Sequence, residues 1–347
     1  MVQFSEILSS ISNIILKIWW VPVPLILLFL IARIWLAHQR EKFIKNIEWS
    51  LVSVTVPKEV EKTPKAMEQV FSALHAMYSF GIRPWDKWTE GKIEQWISFE
   101  LVGEAKGINF YVRIPSKYRN LLESAIYSQY PDAEIEQVPE SQDYVKRFPP
   151  DLPNDDFDVW GTEFVLAEDD PYPIRTYEYF EEIADERRLD PISSIAESMS
   201  KLKDYESIWL QVLIRPTGKD WVEEGEDLIE KIESGEEEDS PKDIFDEVVS
   251  WVEGFFIFIW QLLKAMIIHP EWSSDEDDSE KDDSDGSLNP VQKNKIKAID
   301  NKISKIGFET TIRFVYIDKK DDFNGDHISS VMGSFRQFNT NNLNSIQ

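Results

Sequence analysis

ISFELV (97–102) and INFYVRI (108–114) are two β-rich runs separated by a short turn that holds Gly103 and Gly107. Apolar and aromatic runs broken by glycine at that distance signal a β-hairpin. Working outward, Pro115 and Ser116 open the helical stretch SKYRNLLESAIYSQY, which ends before Pro131, and AEIEQV (133–138) reads as a further strand. Upstream, LVSVTV (51–56) is a strand ended by Pro57. KAMEQVFSALHAMYSF (65–80) places Met67, Val70, Phe71, Leu74, Met77 and Tyr78 at helical spacing. Thr63 and Pro64 supply a cap and a first helical position, and Gly81 a stop.

Strand, helix, strand, strand, helix, strand is the order of a ferredoxin-like α+β module, with the hairpin as its middle step. A Pro- and Asp-rich stretch follows and reads as a linker over 139–158. VWGTEFVLA (159–167), a helix over 191–203 with Asp190 as cap, SIWLQVLI (207–214), an acidic helix over 219–232, FETTIRFVYI (308–317) and a helix near 327–338 suggest a second module of the same type, whose last strand is not evident. An acidic insertion over 234–290 interrupts it. The expected organisation is an N-terminal segment (1–13), a transmembrane helix (14–36), a basic connector (37–49), a first module (50–138), the linker, and a second module in two parts (159–233 and 291–347).

The transmembrane assignment rests on IWWVPVPLILLFLIA (18–32), which carries no charge. Extended to 14–36 it includes only Lys17 and Arg33, each able to snorkel toward headgroups, and a bilayer core of ~30 Å needs about 20 such residues. The anchor residues are Ile18, Trp19, Trp20, Leu25, Leu28, Phe29, Ile31 and Trp35, with the tryptophans near the ends, where amphipathic rings prefer to sit. A cleaved signal peptide is the competing reading, but the stretch is long, its start is not basic, and no small-x-small site follows before His38. Basic Arg33, Arg40, Lys42 and Lys45 after the helix, against Lys17 before it, predict an inner-membrane, single-pass protein with cytoplasmic soluble domains.

Within the insertion, GEEED (235–239) and SSDEDDSEKDDSDGS (273–287) are charge runs that cannot bury themselves. Between them an apolar helix is expected within 244–268, around VVSWVEGFFIFIWQLLKAMII (248–268). It either lies on the membrane or the domain surface, or makes a second span that sends everything after it outside.

The net charge of −27 repels phosphate backbones and argues against direct nucleic-acid binding. With no cysteine in 347 residues, disulfides, thiolate catalysis and cysteine-held metals are excluded. Gly218-Lys219 and Gly91-Lys92 lack the rest of a phosphate-binding loop, and no glycine-rich dinucleotide fingerprint or nucleophile elbow occurs. His38, His75, His269 and His327 are scattered, and His75 reads as a packed or surface side chain. Lys281 and Gln292 stand where a calcium loop around Gly286 needs acids. KNKIKAIDNKISK (293–305) reads as a helix with Ile296, Ile299, Ile303 and Ile306 inward and lysines on its wet face, the alternative being a basic stretch that meets an anionic lipid surface or nucleic acid. No catalytic residue, cofactor or metal is expected.

ISFELV, INFYVRIPSKYRNLLESAIYSQYPDAEIEQV, WLQVLIRPTGKDW, GFETTIRFVYI and GSFRQFNTNNLN together resemble the N-terminal membrane-docking region that precedes the motor of conjugation-type ATPases, the type IV secretion family, as found in small-genome bacteria. The resemblance implies a non-enzymatic docking subunit, partnered by the lipid bilayer, by a hexameric motor ATPase and by copies of itself. Neither the phosphate loop nor the second motor motif is present, so a stand-alone partner or a split or truncated copy is expected. The rival reading is an enzyme with an unrecognised active site on the second domain; a third is a lipid-surface protein using 248–268.

Overall fold

β-Strands formed by those runs assemble into one antiparallel sheet of seven in the computed structural model, which describes residues 22–57, 63–79, 81–184, 192–234 and 289–347. The elements are α1 (Pro22–Lys45), β1 (Trp49–Thr55), α2 (Lys65–Leu74), α3 (Pro84–Thr89), β2 (Ile97–Glu104), β3 (Gly107–Pro115), α4 (Arg119–Gln129), β4 (Glu134–Gln137), β5 (Phe157–Phe164), α5 (Tyr177–Ala184), α6 (Ser193–Ser200), β6 (Ser207–Pro216), α7 (Asp220–Ser234), α8 (Pro290–Ile303), β7 (Phe308–Lys319) and α9 (Gly325–Phe335). The strand order is β4-β1-β3-β2-β6-β7-β5. The two halves meet where β2 pairs β6, from Ile97↔Ile214 to Glu104↔Ser207, so the sheet runs unbroken through the middle of the molecule.

Alternation fixes which side chains face where. Phe99, Val112, Ile114 and Ile214 point to one face, where α2 and α4 bring Val70, Leu74, Leu122 and Ile126 against them. On the same face of the second half, Ile208, Phe314 and Tyr316 meet Ile195 and Met199 of α6 and Val331 and Phe335 of α9. Helices α7 and α8 add an outer layer around Tyr172, Ile299 and Ile303. Gly103 lets α6 approach the sheet: a Cβ there would lie 2.8 Å from the Met199 side chain.

Among the described residues the opposite face carries no α-helix, only short 3-10 turns over Glu140–Gln142 and Tyr144–Arg147. Strands β4 and β5 are the outer strands, so the chain between them must cross the sheet's width, about 29 Å for six strand spacings. It does so as a strap. Tyr144 and Phe148 of the 139–156 segment are buried against Leu51, Val102, Trp209 and Ile317, with Leu152 and Phe157 beside them. The stretch read from composition as a linker is therefore part of the core, because topology leaves it no other route.

Other boundaries differ for local reasons. Helix α2 ends at Leu74 and tightens into a 3-10 turn over His75–Met77. Its N-cap is Pro64 without a side-chain cap, and Thr63 contributes only its carbonyl, to the Ala66 amide at 3.0 Å. Helix α8 stops at Ile303, which leaves Ile306 exposed instead of inward, while Ile299 and Ile303 are buried as the spacing predicts. Asn289 caps α8 reciprocally with Gln292. Beyond β5, the residues Ser345–Gln347 pair with Val165–Ala167, a brief ladder where a last strand was not evident. The 37–49 connector is helical as far as Lys45, continuous with the apolar segment. Asp190, His269, the apolar stretch 248–268 and both acidic runs lie outside the described residues.

Replacing Gly103 by Val forces a branched side chain into the Met199 contact. Overpacking of this kind costs about 1–3 kcal/mol, so G103V should lower the midpoint of chemical denaturation of the detergent-solubilised chain, with the slope unchanged.

Candidate functional site

Three constellations outside the ordinary core carry chemistry, and the first is the root of α1. This helix leaves the folded body with apolar side chains on every side: Leu25, Leu28, Ile31, Ile34 and Trp35 are all exposed, and Leu36 alone among its described side chains is buried. The Arg33 guanidinium lies over the Phe29 ring at 5.6 Å. Among the described residues, Val23–Lys45 is the one helix long and apolar enough to cross a membrane. The basic residues Arg33, Arg40, Lys42 and Lys45 lie along it, with Lys45 paired to Glu41 at 2.6 Å. Ile18, Trp19 and Trp20 fall outside the described residues.

Helix α3 braces this root. The Trp35 indole donates to the Trp88 carbonyl at 3.3 Å. Gly91 has φ +66 and sits so close to α1 that a Cβ would lie 2.2 Å from the Gln39 carbonyl carbon. Below the brace opens a cleft of about 420 Å³ lined by Phe43, Asn46, Lys92, Gln95 and Lys117 among others.

The second constellation is the strap's polar anchor. Arg113 of β3 makes a bidentate bond to Asp143, at 2.9 and 3.0 Å, and reaches Glu100 of β2 at 3.3 Å. Tyr144 donates to the other Glu100 oxygen at 2.8 Å and accepts from the Gln211 amide at 2.8 Å. Glu100 is 1% exposed. Burial pushes its carboxyl above the ordinary range, against the pull of the Arg113 charge. Burial acts the same way on Asp143, but the Arg113 hydrogen bonds outweigh it and hold that carboxyl low. One guanidinium thus serves two carboxylates, and the strap is tied to the sheet by charge as well as by rings.

The third constellation lies in the second half. Glu206 and Asp318 are each 2% exposed, and the Tyr316 hydroxyl stands between them at 3.3 and 3.2 Å. That hydroxyl also accepts from the Asn324 amide, at 3.4 Å. A phenol has one proton to donate, so it serves one of the two carboxylates at a time; backbone amides supply further donors, Lys203 to Glu206 and Lys319 to Asp318. Burial pushes the Asp318 carboxyl above its ordinary range against the pull of the Lys319 amide bond, with the Glu206 charge adding to the rise. The His327 ring stands 3.7 Å from Glu206. His75 instead meets the Thr217 carbonyl at 3.2 Å and the edge of Phe308, a packed histidine.

A family model described as a domain of unknown function, DUF8128, matches residues 34–346. The chain belongs to that family. No curated protein and no solved structure matches it. The DUF8128 region takes in the whole sheet, the strap, α3 and the root of α1 from Ile34 onward.

Among the described residues Glu100, Glu206 and Asp318 are the buried acids of the DUF8128 region. Among the described residues no group of three or more His, Asp or Glu side chains could hold a metal ion. The Glu206–Asp318 pair is closed to solvent, and a pair closed on both sides gives a substrate no approach. Sequence reasoning missed both polar clusters because their carboxylates are indistinguishable by type among 64 acidic residues. Only the long-range pairing of β2, β3, β6 and β7 selects them.

Asp143→Ala should destabilise the chain by about 2–3 kcal/mol; removing one partner of a wholly buried pair costs ~3–5, but Arg113 is 25% exposed. Because the folded Asp143 carboxyl is held low, its contribution is fully present above the unfolded carboxylate range and is lost as pH falls through the lowered folded value. Urea titrations at neutral and acid pH should show the D143A deficit shrinking on acidification. Asp318 behaves oppositely. The folded state keeps a proton that the unfolded chain releases, so stability falls as pH rises through the raised carboxyl value. Asp318→Asn places a permanent donor beside the Tyr316 hydroxyl. Thermal melts taken upward in pH from the ordinary carboxylate range should be flatter for D318N than for the wild-type chain, with no loss of stability at the high-pH end.

Proposed function

We propose that this chain is a membrane-anchored docking subunit without catalytic activity, working in a type IV secretion or conjugation-like translocation apparatus. The observation that carries the anchoring is α1, a 24-residue helix whose apolar side chains stand clear of the folded body instead of packing into it. Such a surface is unfavourable in water and favourable in lipid. The basic residues Arg33, Arg40, Lys42 and Lys45 at its C-terminal end support a cytoplasmic location for the sheet.

In this reading each half of the sheet is a ferredoxin-like module, and the two share one sheet through their second strands. The order β4-β1-β3-β2 with both helices on one face supports that assignment for the first half. For the second half the support is β6-β7-β5 with the brief Ser345–Gln347 ladder beyond. Strand β4 is an outer strand of four residues with Glu134, Glu136 and Gln137 exposed. Short charged edges resist indiscriminate pairing yet can accept a matched partner. Such edges and the outer helix faces suit contacts with copies of the chain or with a hexameric motor ATPase. The resemblance of the 97–138 segment to the docking regions of conjugation-type ATPases is the basis for the motor.

The full chain should remain with membranes through alkaline carbonate extraction. From its native membranes in mild detergent it should bring down a hexameric ATPase. Release by carbonate contradicts the anchor; ATP hydrolysis by the purified chain alone contradicts the subunit reading and favours an enzyme.

A further inference from the structure

Trp85 is 75% exposed, more than any other large apolar side chain among the described residues. It sits on α3, a short helix of sequence PWDKWT started by Pro84 and without a buried residue of its own. Trp88 is half-buried beside α1, whereas Trp85 stands out from the fold, where a surface outside it can receive the ring.

The contacts with α1 say what lies beside it. Trp88 is held level with Trp35 by the indole-to-carbonyl bond, and Gly91 abuts Gln39. From residue 88 to residue 91 the chain therefore descends alongside α1, away from its apolar end, by roughly 6 Å at 1.5 Å per residue. Trp85 lies one turn before Trp88 on α3, and the Trp35–Trp88 bond sets that turn beside the end of α1 where the uncharged stretch gives way to Arg33. Charge on α3 agrees with the placement. Lys92 pairs with both Asp86 and Glu90, at 3.4 and 2.9 Å, and with Arg83 and Lys87 exposed the cations outnumber the acids over 83–92. A tryptophan beside free cations suits the headgroup layer of a bilayer.

We propose that α3 is a second membrane contact, with Trp85 seated in the interfacial layer of the bilayer that α1 crosses. The inference rests on α1 being a membrane span. A lone helix would leave the domain free to swivel about its axis. A second contact beside it, locked to α1 through Trp35, Trp88 and Gly91, sets the Trp49↔Pro115 end of the sheet toward the membrane and the opposite strand ends toward partners.

The absence of cysteine makes the test direct, since any introduced thiol is the sole labelling site. Single variants Lys87→Cys, Ile31→Cys and Ser128→Cys of the full chain carry an environment-sensitive fluorophore and are reconstituted into phosphatidylcholine–phosphatidylglycerol vesicles. Position 31 reports the span. Position 128 lies at the far end of α4, which starts beside the membrane-proximal Trp49↔Pro115 pair and runs away from it. With nitroxide on the lipid headgroup, the label at 87 should be quenched and the label at 128 not; with nitroxide at mid-chain, the label at 31 should be quenched. A label at Trp85→Cys should be quenched by the headgroup nitroxide at least as strongly as the label at 87. Quenching at 31 with 85 and 87 no different from 128 overturns the wedge while the span stands. No quenching at 31 overturns the span, and the wedge with it.

Discussion

Backbone pairing between β2 and β6 is the constraint on which the rest of the structure depends. Each is the strand that would otherwise be left as an open edge of its own half, and joining them removes both edges at once. The join makes β2 a central strand, buried on both faces, which is why Ser98 and Glu100 end up inside. A buried carboxylate needs partners, and the fold supplies Arg113 from β3 and Tyr144 from the strap. The seam thus leads directly to the polar anchor.

It also forces the strap. Once the halves fuse through their second strands, β4 and β5 become the two outermost strands, and the chain between them has to cross the sheet. The helices already fill one face, so the crossing takes the other, where Tyr144, Phe148 and Leu152 replace the helix layer. The result is a single body with one helical face and one strapped face, and α1 projects from it beside the ends of β1 and β3.

The first half was legible in the sequence because its signals are local. The 97–114 hairpin, the helical spacing of Val70, Phe71 and Leu74, and the prolines at 57, 115 and 131 each mark an element without reference to distant chain. The strap was not legible, since Pro- and Asp-rich composition reads as solvent-exposed chain. Asp143 and Tyr144 acquire meaning only beside Arg113 and Glu100, which are distant in sequence. Helix α3 escaped notice because six residues are too few to show a period. The Ser345–Gln347 ladder escaped for the same reason. The seam itself could not be read, because two strands of ordinary hydrophobicity give no sign of which neighbour each will take. At the candidate site, the apolar reach of α1 was evident from its charge-free run, whereas the bracing of its root by Trp88 and Gly91 depends on a glycine whose φ is positive, which no apolar pattern reveals.

Amide hydrogen exchange across α1, on the full chain in lipid nanodiscs, bears most directly on the account. A helix standing in water frays and exchanges, whereas one in hydrocarbon is shielded from solvent along its length. The account predicts slow exchange from Leu25 to Leu36, with rates rising through the basic turn toward Lys45. Exchange as fast at Leu28 and Ile31 as at Lys42 would show that the apolar helix is not in the bilayer.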